Sequence, residues 1–197
     1  MADGRSPKLL RRNGRRVSGA AEMAGSIEIV AGDVGWQWAE PLLMAVWPPE
    51  VVATLPWKDV VWAHADWRVL VSNKAGDVIG HVGIFLRNGT WGSRVVKLGG
   101  IGGVAVRQDC RRQGVASAAM RRAAQEMQDV HGVDFGSLFC EPRHAPVYEG
   151  LGWRKFTGEV FVMQPQGRTR FDVTEPYVLD MNLTPRHGVL DLCGLPW

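Results

Sequence analysis

Between Gly99 and Cys140 the hydrophobic period changes twice, and this limits the fold more than any other feature of the 197 residues. Val104-Ala105-Val106 closes an apolar run from Arg94 to Val106 that reads as a strand. Ala116, Met120, Ala123, Met127 and Val130 then recur at steps of four and three, while Arg121, Arg122, Gln125 and Gln128 face elsewhere. That spacing predicts an amphipathic helix ending near Gly132. Asp134 to Cys140 is strand-like again. Strand, helix and strand in this order predict parallel pairing, because the crossover returns the chain to its starting direction.

The flanking segments supply antiparallel partners. Ser26 to Ala31 alternates as a first strand and stops at Gly32-Asp33. Gly35 to Trp62 is interrupted by Pro41, Pro48, Pro49 and Pro56, which predicts two short helices joined by turns. The tryptophans concentrated here, Trp36, Trp38, Trp47, Trp57, Trp62 and Trp67, are expected mostly in the core. Trp67 to Ser72 and Val78 to Asn88 flank the hairpin signal Asn73 to Asp77, and Asn88-Gly89 predicts a further turn before Arg94. A short helix around Pro146 to Leu151 stops at Gly152-Trp153, and Gly158 to Met163 and Tyr177 to Leu183 read as late strands.

Charge excludes one class of function. The net charge is +3, yet residues 1 to 26 hold six basic residues against Asp3 and Glu22, so the remainder carries 17 basic and 18 acidic residues. The expected organisation is a disordered basic tail, 1–25, and one folded domain, 26–197, whose body is no nucleic-acid binder. No apolar run approaches the ~20 residues that span a bilayer, so no membrane partner is expected. Cys110, Cys140 and Cys193 are odd in number and lack C-x-x-C pairing, so neither a disulfide framework nor a metal site is expected and the cytoplasm is the default location.

The loop Arg107 to Gln113, ending at Gly114, feeds the predicted helix. Free N–H groups and the helix dipole there suit an anion such as a pyrophosphate. The segment matches neither G-x-x-x-x-G-K-[ST] nor G-x-G-x-x-G, and the four glycines at 99, 100, 102 and 103 sit within the strand instead. They read either as a bulge or as a close approach of backbone, helix or ligand.

Val104-Ala105-Val106, then Arg111-x-x-Gly114-x-Ala116, then His144 to Trp153 with Tyr148 resemble the acyl-CoA and tyrosine motifs of the GNAT superfamily. The resemblance implies an α/β (α+β) fold: a mixed, mostly antiparallel central sheet, splayed at a parallel strand pair and flanked by helices. It implies acetyl-CoA as co-substrate, with the strand Val104, Ala105, Val106 pairing with pantetheine as an added strand would. Amides of Arg112, Gln113, Gly114, Val115, Ala116 and Ser117 would hold the pyrophosphate, with Arg111 and Arg112 adding charge. Tyr148 would be the general acid for the departing thiolate. Glu141, or alternatively His144 or water, would take the amine proton.

Within the superfamily the likeness is to aminoglycoside 2'-N-acetyltransferases, carried by Gly80 to Ile84, Gly103 to Arg107, Tyr148, Gly152-Trp153, Leu192-Cys193 and Trp197. It implies a small cationic amine as acceptor, and it gives the end of the chain at Trp197 a role in facing that amine. Gly102, Phe139 and Leu195 stand where those enzymes carry a glutamate, a serine and an aspartate. Gly102, Gly103 and Phe139 therefore mark where the acceptor differs, and Asp59, Asp66, Asp180 and Asp191 are further carboxylates for an amine. The sequence leaves open a homodimer, a longer acyl donor and a regulatory module that binds CoA without turnover.

Overall fold

The computed structural model describes residues 24–197, so the expected tail lies almost wholly outside the described residues. The chain forms β1 (Ala24–Ala31), α1 (Gly32–Val46), α2 (Pro49–Val52), β2 (Trp67–Asn73), β3 (Val78–Trp91), β4 (Arg94–Val106), α3 (Val115–Asp129), β5 (Phe135–Cys140), α4 (Ala145–Glu149), β6 (Arg154–Lys155), β7 (Glu159–Gln164), β8 (Gly167–Arg170), β9 (Glu175–Asp180) and β10 (Val189–Asp191). All ten strands join one sheet. Its antiparallel meander β1-β2-β3-β4 is continued by β5, parallel to β4, and then by β9 and β6. The predicted mixed sheet with a parallel crossover through α3 is observed, together with a second parallel pair, β7 with β10, that the sequence pattern did not announce.

The long strand β3 shares one edge between two short partners. Its first part pairs with β2 through Trp67↔Ile84, and its end pairs with β10 at Thr90 and Trp91. Between them the Leu86 N–H donates to the Asp66 carboxylate at 2.7 Å, and the Arg87 guanidinium donates to the Leu195 carbonyl. The Ala63 N–H reaches the Pro196 carbonyl at 2.7 Å. Two loops far apart in sequence thus meet in the gap.

Alternation along the strands divides the core between two faces. Val69, Val71, Val82, Ile84 and Ile101 pack with Ala119, Met120, Ala123 and Met127 of α3. Phe85, Leu98, Val160, Val162, Leu190, Leu192 and Trp197 form a second cluster. Val130, expected on the buried stripe of α3, is 65% exposed because the helix ends one residue earlier.

Several expectations are corrected. Gly32 to Val46 is a single 15-residue helix with Pro41 inside it. Pro41 and Gln37, whose carbonyl the proline leaves without an amide partner, are both exposed, so water takes the missing hydrogen bond. The turn expected at Asn88-Gly89 falls at Gly92 (φ +60°), because β3 runs on to Trp91 to meet β10. The final predicted strand ends at Asp180 rather than Leu183, and β6, β8 and β10, of two to four residues, were not foreseen. None of the six early tryptophans is fully buried; Trp36 and Trp38 are 41% and 47% exposed on α1.

Candidate functional site

The parallel register of β4 and β5 runs from Leu98↔Phe135 to Ile101↔Leu138 and stops there. β5 continues to Cys140 against β9, while β4 continues to Val106 against β3. From Gly102 onward the edge of β4 that had faced β5 has no strand beside it. A bulge opens at the same place: His81 and Gly83 oppose Ala105 and Gly102, leaving one extra residue on β4. Gly103 sits in that bulge at φ +57°, a conformation that disfavours a Cβ.

The loop after β4 delivers α3 beside this free edge. Gly114 caps the helix at φ +84° with no side-chain hydrogen bond to the first turn, so its leading N–H groups are left for a ligand or water. Arg112 also has positive φ, +61°, a cost for a residue with a Cβ and a mark of a constrained loop. Arg111 turns back, its Nε donating to the Val106 carbonyl at 3.1 Å, and the Gln113 amide donates to the Asp109 carbonyl at 3.0 Å. Val104, Val106 and Tyr148 all pack on one core cluster that contains Val115 and Cys140. Three of the residues expected to meet acetyl-CoA, Val104, Val106 and Val115, thus share one cluster with Tyr148.

Tyr148, on α4, is pushed up to about 12, first by burial and then by the neighbouring Cys140. The Cys140 thiol is itself raised to about 12 by burial and by Glu175, Glu149 and Glu141. A thiolate released here would meet the same desolvation, which raises the proton affinity of phenolate and thiolate together. The phenol is therefore less acidic than in water, and so would be a thiolate's conjugate acid beside it. Glu141 is half-buried and paired with Arg143 at 2.7 Å, and His144 is exposed.

The expected acceptor residues fare less well. Asp180 is held by Arg186 at 2.6 and 2.5 Å, which lowers its carboxyl below the usual range. It also lies opposite Phe135, at the closed end of the β4–β5 pair. Asp180 is therefore an ion-pair residue away from the splay, not part of an amine pocket. Asp191 is likewise paired, with Arg168 at 2.6 Å. Asp59 is exposed on the loop after α2. Phe139 packs on Phe171, with ring centroids 4.6 Å apart, in the aromatic cluster that holds Trp197.

Two glycines of the run are explained by Trp197. A Cβ at Gly100 would overlap the indole ring, and one at Gly102 would lie 2.8 Å from the main-chain carbonyl carbon of Trp197. The indole stacks on Phe85 at 5.8 Å and donates to the Ser137 carbonyl at 3.1 Å. The ring of Trp197 is core, whereas its main chain occupies the space where a residue-102 side chain would stand.

A polar network behind the bulge was missed by the sequence reading. His81 is 2% exposed, a buried histidine inside β3. Its Nδ1 lies 2.7 Å from the Gly103 carbonyl and its Nε2 3.0 Å from Arg68 Nη1. An arginine only donates, so Nε2 accepts and Nδ1–H donates to Gly103. Burial, with a smaller contribution from Arg68, lowers His81 to about 4, so the ring is neutral near pH 7. Arg68, 5% exposed, also donates from Nε to the Gly32 carbonyl at 2.6 Å and lies 4.8 Å from the Trp36 ring centroid. The available signal was an arginine inside the apolar strand Trp67-Arg68-Val69-Leu70-Val71.

A family model for the acetyltransferase (GNAT) domain matches residues 37–156. An aminoglycoside 2'-N-acetyltransferase from Mycolicibacterium fortuitum is 29% identical over 114 residues, 57% of each chain. Among solved structures, a GNAT family N-acetyltransferase from Escherichia coli in complex with CoA superposes with a TM-score of 0.59 and 14% identity, over 87% of this chain and 91% of that one. An acyl-CoA N-acyltransferase from Pseudomonas aeruginosa gives 0.52 and 12%, over 78% and 98%. Among the described residues no helix is long and apolar enough to cross a membrane, and no group of three or more His, Cys, Asp or Glu is placed to hold a metal ion.

Proposed function

The chain belongs to the GNAT acetyltransferase family, and on that premise we propose that it transfers the acetyl group of acetyl-CoA to a primary amine of a small molecule. One observation carries the reading: the free edge of β4 beyond Ile101 lies beside the uncapped start of α3. Val104 and Val106 would pair with the pantetheine arm through their main chains, and amides from Arg112 to Ser117, with Arg111 and Arg112, would hold the pyrophosphate. Arg111 must release the Val106 carbonyl for full pairing along the strand.

The neutral amine attacks the thioester carbonyl. A C–N bond forms, the C–S bond breaks, and the thiolate takes its proton from Tyr148. The proton lost by the amine passes to Glu141 or through water to solvent. The Val106 N–H is our candidate donor to the transient oxyanion. Thiol release with acetyl-CoA and a panel of amines tests the reading. We expect turnover with at least one primary amine and CoA binding detectable by calorimetry; absence of CoA binding would overturn it.

The relative from M. fortuitum favours an aminoglycoside as acceptor. The chain spans 57% of that relative's length, and the Trp197 main chain beside Gly102 leaves no room for the glutamate that those enzymes are expected to carry at this place. Acetylation of kanamycin or gentamicin at a rate exceeding that of simple amines would establish this second reading.

A further inference from the structure

A cavity of about 490 Å³ is lined by Gly32, Asp33, Trp36, His64, Ala65, Asp66 and Arg68. It lies on the face of the sheet away from α3, since Arg68 pairs with Gly83 and alternates with the core residue Val69. Arg68 connects it to the acyl strand: Nη1 meets His81, and His81 donates to Gly103, the residue before Val104. The cavity therefore stands one side chain behind the bulge, at the level where β4 and β5 part.

The charge in this cavity is unusual. Burying a cation is costly unless a counter-ion or strong hydrogen bonds compensate. Among the described residues, Arg68 has only the Gly32 carbonyl, neutral His81 and the face of Trp36, and no carboxylate within salt-bridge distance. Its Nη2 makes no hydrogen bond within the described residues, and Arg68 is among the residues that line the cavity. Asp33 and Asp66 lie on the same wall, both in exposed residues. Asp33 accepts from the Val34 N–H through one oxygen, and Asp66 from the Leu86 N–H; each keeps a second oxygen.

Resting on the acetyltransfer reading above, we propose that this cavity receives the acceptor, and that the acceptor is an amine that also carries a carboxylate, bound by Arg68, with Asp33 and Asp66 steering its ammonium group. With Nε and Nη1 already donating to Gly32 and His81, Nη2 is the guanidinium nitrogen left to meet a carboxylate in a charge-assisted hydrogen bond. A polycation would set an ammonium against a buried guanidinium that already lacks a counter-ion. A dianionic phosphate would meet two aspartates. A zwitterion avoids both conflicts.

The test uses the full chain saturated with CoA for binding, and with acetyl-CoA for turnover. Leucine, phenylalanine and glycylglycine are each compared with their C-terminal amides, beside spermidine, kanamycin and phosphoethanolamine. We expect the free carboxylate to improve binding and kcat/KM by at least tenfold over the matched amide, with Arg68→Met erasing that ratio. Arg68→Lys, which keeps the charge but not the guanidinium, should recover part of it. The wild-type acid-to-amide ratio needs no variant, so misfolding of the substituted proteins leaves the proposal exposed to refutation. Equal ratios, preference for spermidine, kanamycin or phosphoethanolamine, or CoA binding without binding of any carboxylated amine would overturn the acceptor class and leave acetyltransfer standing. Failure to bind CoA would instead overturn the reading on which it rests.

Discussion

The two halves of the site are built from different materials. On the side of β4, α3 and α4 the groups offered to a ligand are mainly backbone: a strand edge released after Ile101 and a helix start without a side-chain cap. On the side of α1 and β2 they are side chains brought together from distant segments, with Arg68 bonded to Gly32, 36 residues away, and to His81. Backbone recognition requires a conformation and tolerates many sequences. Side-chain recognition requires particular residues and changes with each of them. The co-substrate proposed above would be met by the first half, and the proposed acceptor by the second.

Filling the space where Trp197 packs under β4 should do the greatest damage. Gly100→Val drives a branched side chain into the indole of Trp197, and overpacking of this kind costs about 3 kcal/mol or more; thermal unfolding should show a large loss of Tm or no folded protein. Unchanged stability would mean that the Trp197 packing does not hold this region together.

The next effect separates the halves by pH. His81 is neutral in the fold and titrates at about 4, below its ordinary 6.5. Its contribution is therefore complete above pH 6.5 and is lost as pH falls from 6.5 through 4. By linkage the loss approaches about 3 kcal/mol. The depressed carboxyls of Asp109 and Asp180 act below their ordinary 3.8, outside this window. Urea unfolding at pH 7 and pH 4.5 should show the decrease, and His81→Gln should flatten it. An identical slope in the variant would remove His81 from the role of a neutral brace.

Tyr148→Phe sharpens the other half. Turnover should fall about 100-fold, or about 2.7 kcal/mol of barrier, while CoA affinity stays within twofold. Equal losses in both would make Tyr148 a packing residue. The smallest expected change is at Arg112, where φ is +61°. Arg112→Gly should stabilise the fold by about 0.5–1 kcal/mol yet raise the KM for acetyl-CoA several-fold. A stability gain with unchanged KM would show that loop geometry, rather than this charge, serves the pyrophosphate.

This division also decided what could be read from sequence. The parallel crossover, the helix over Ala116 to Met127 and the Tyr148 segment are local patterns, and each was legible because period and turn chemistry write backbone structure directly. Arg68 was not legible, because an arginine in a strand becomes informative only once Gly32, Trp36 and His81 surround it. Asp180 misled for the same reason: its partner Arg186 lies six residues away in sequence, and no pattern announces the pair. The early tryptophans were assigned to the core by hydrophobicity alone, whereas α1 turns Trp36 and Trp38 outward. Gly100 and Gly102 make room for Trp197, which no reading of their own strand could reveal.

The shared edge of β3 has a wider consequence. Because β2 and β10 leave a gap between them, the loop around Ala63 to Asp66 and the segment Leu195 to Trp197 reach the acceptor face without passing through any strand. The loop around Ala63 to Asp66 can be lengthened without moving a register in the meander, whereas Trp197 is tied to β4 and β5 through Gly100, Gly102 and Ser137. One incomplete strand edge thus divides what the sheet holds in register from what only loop hydrogen bonds hold in place.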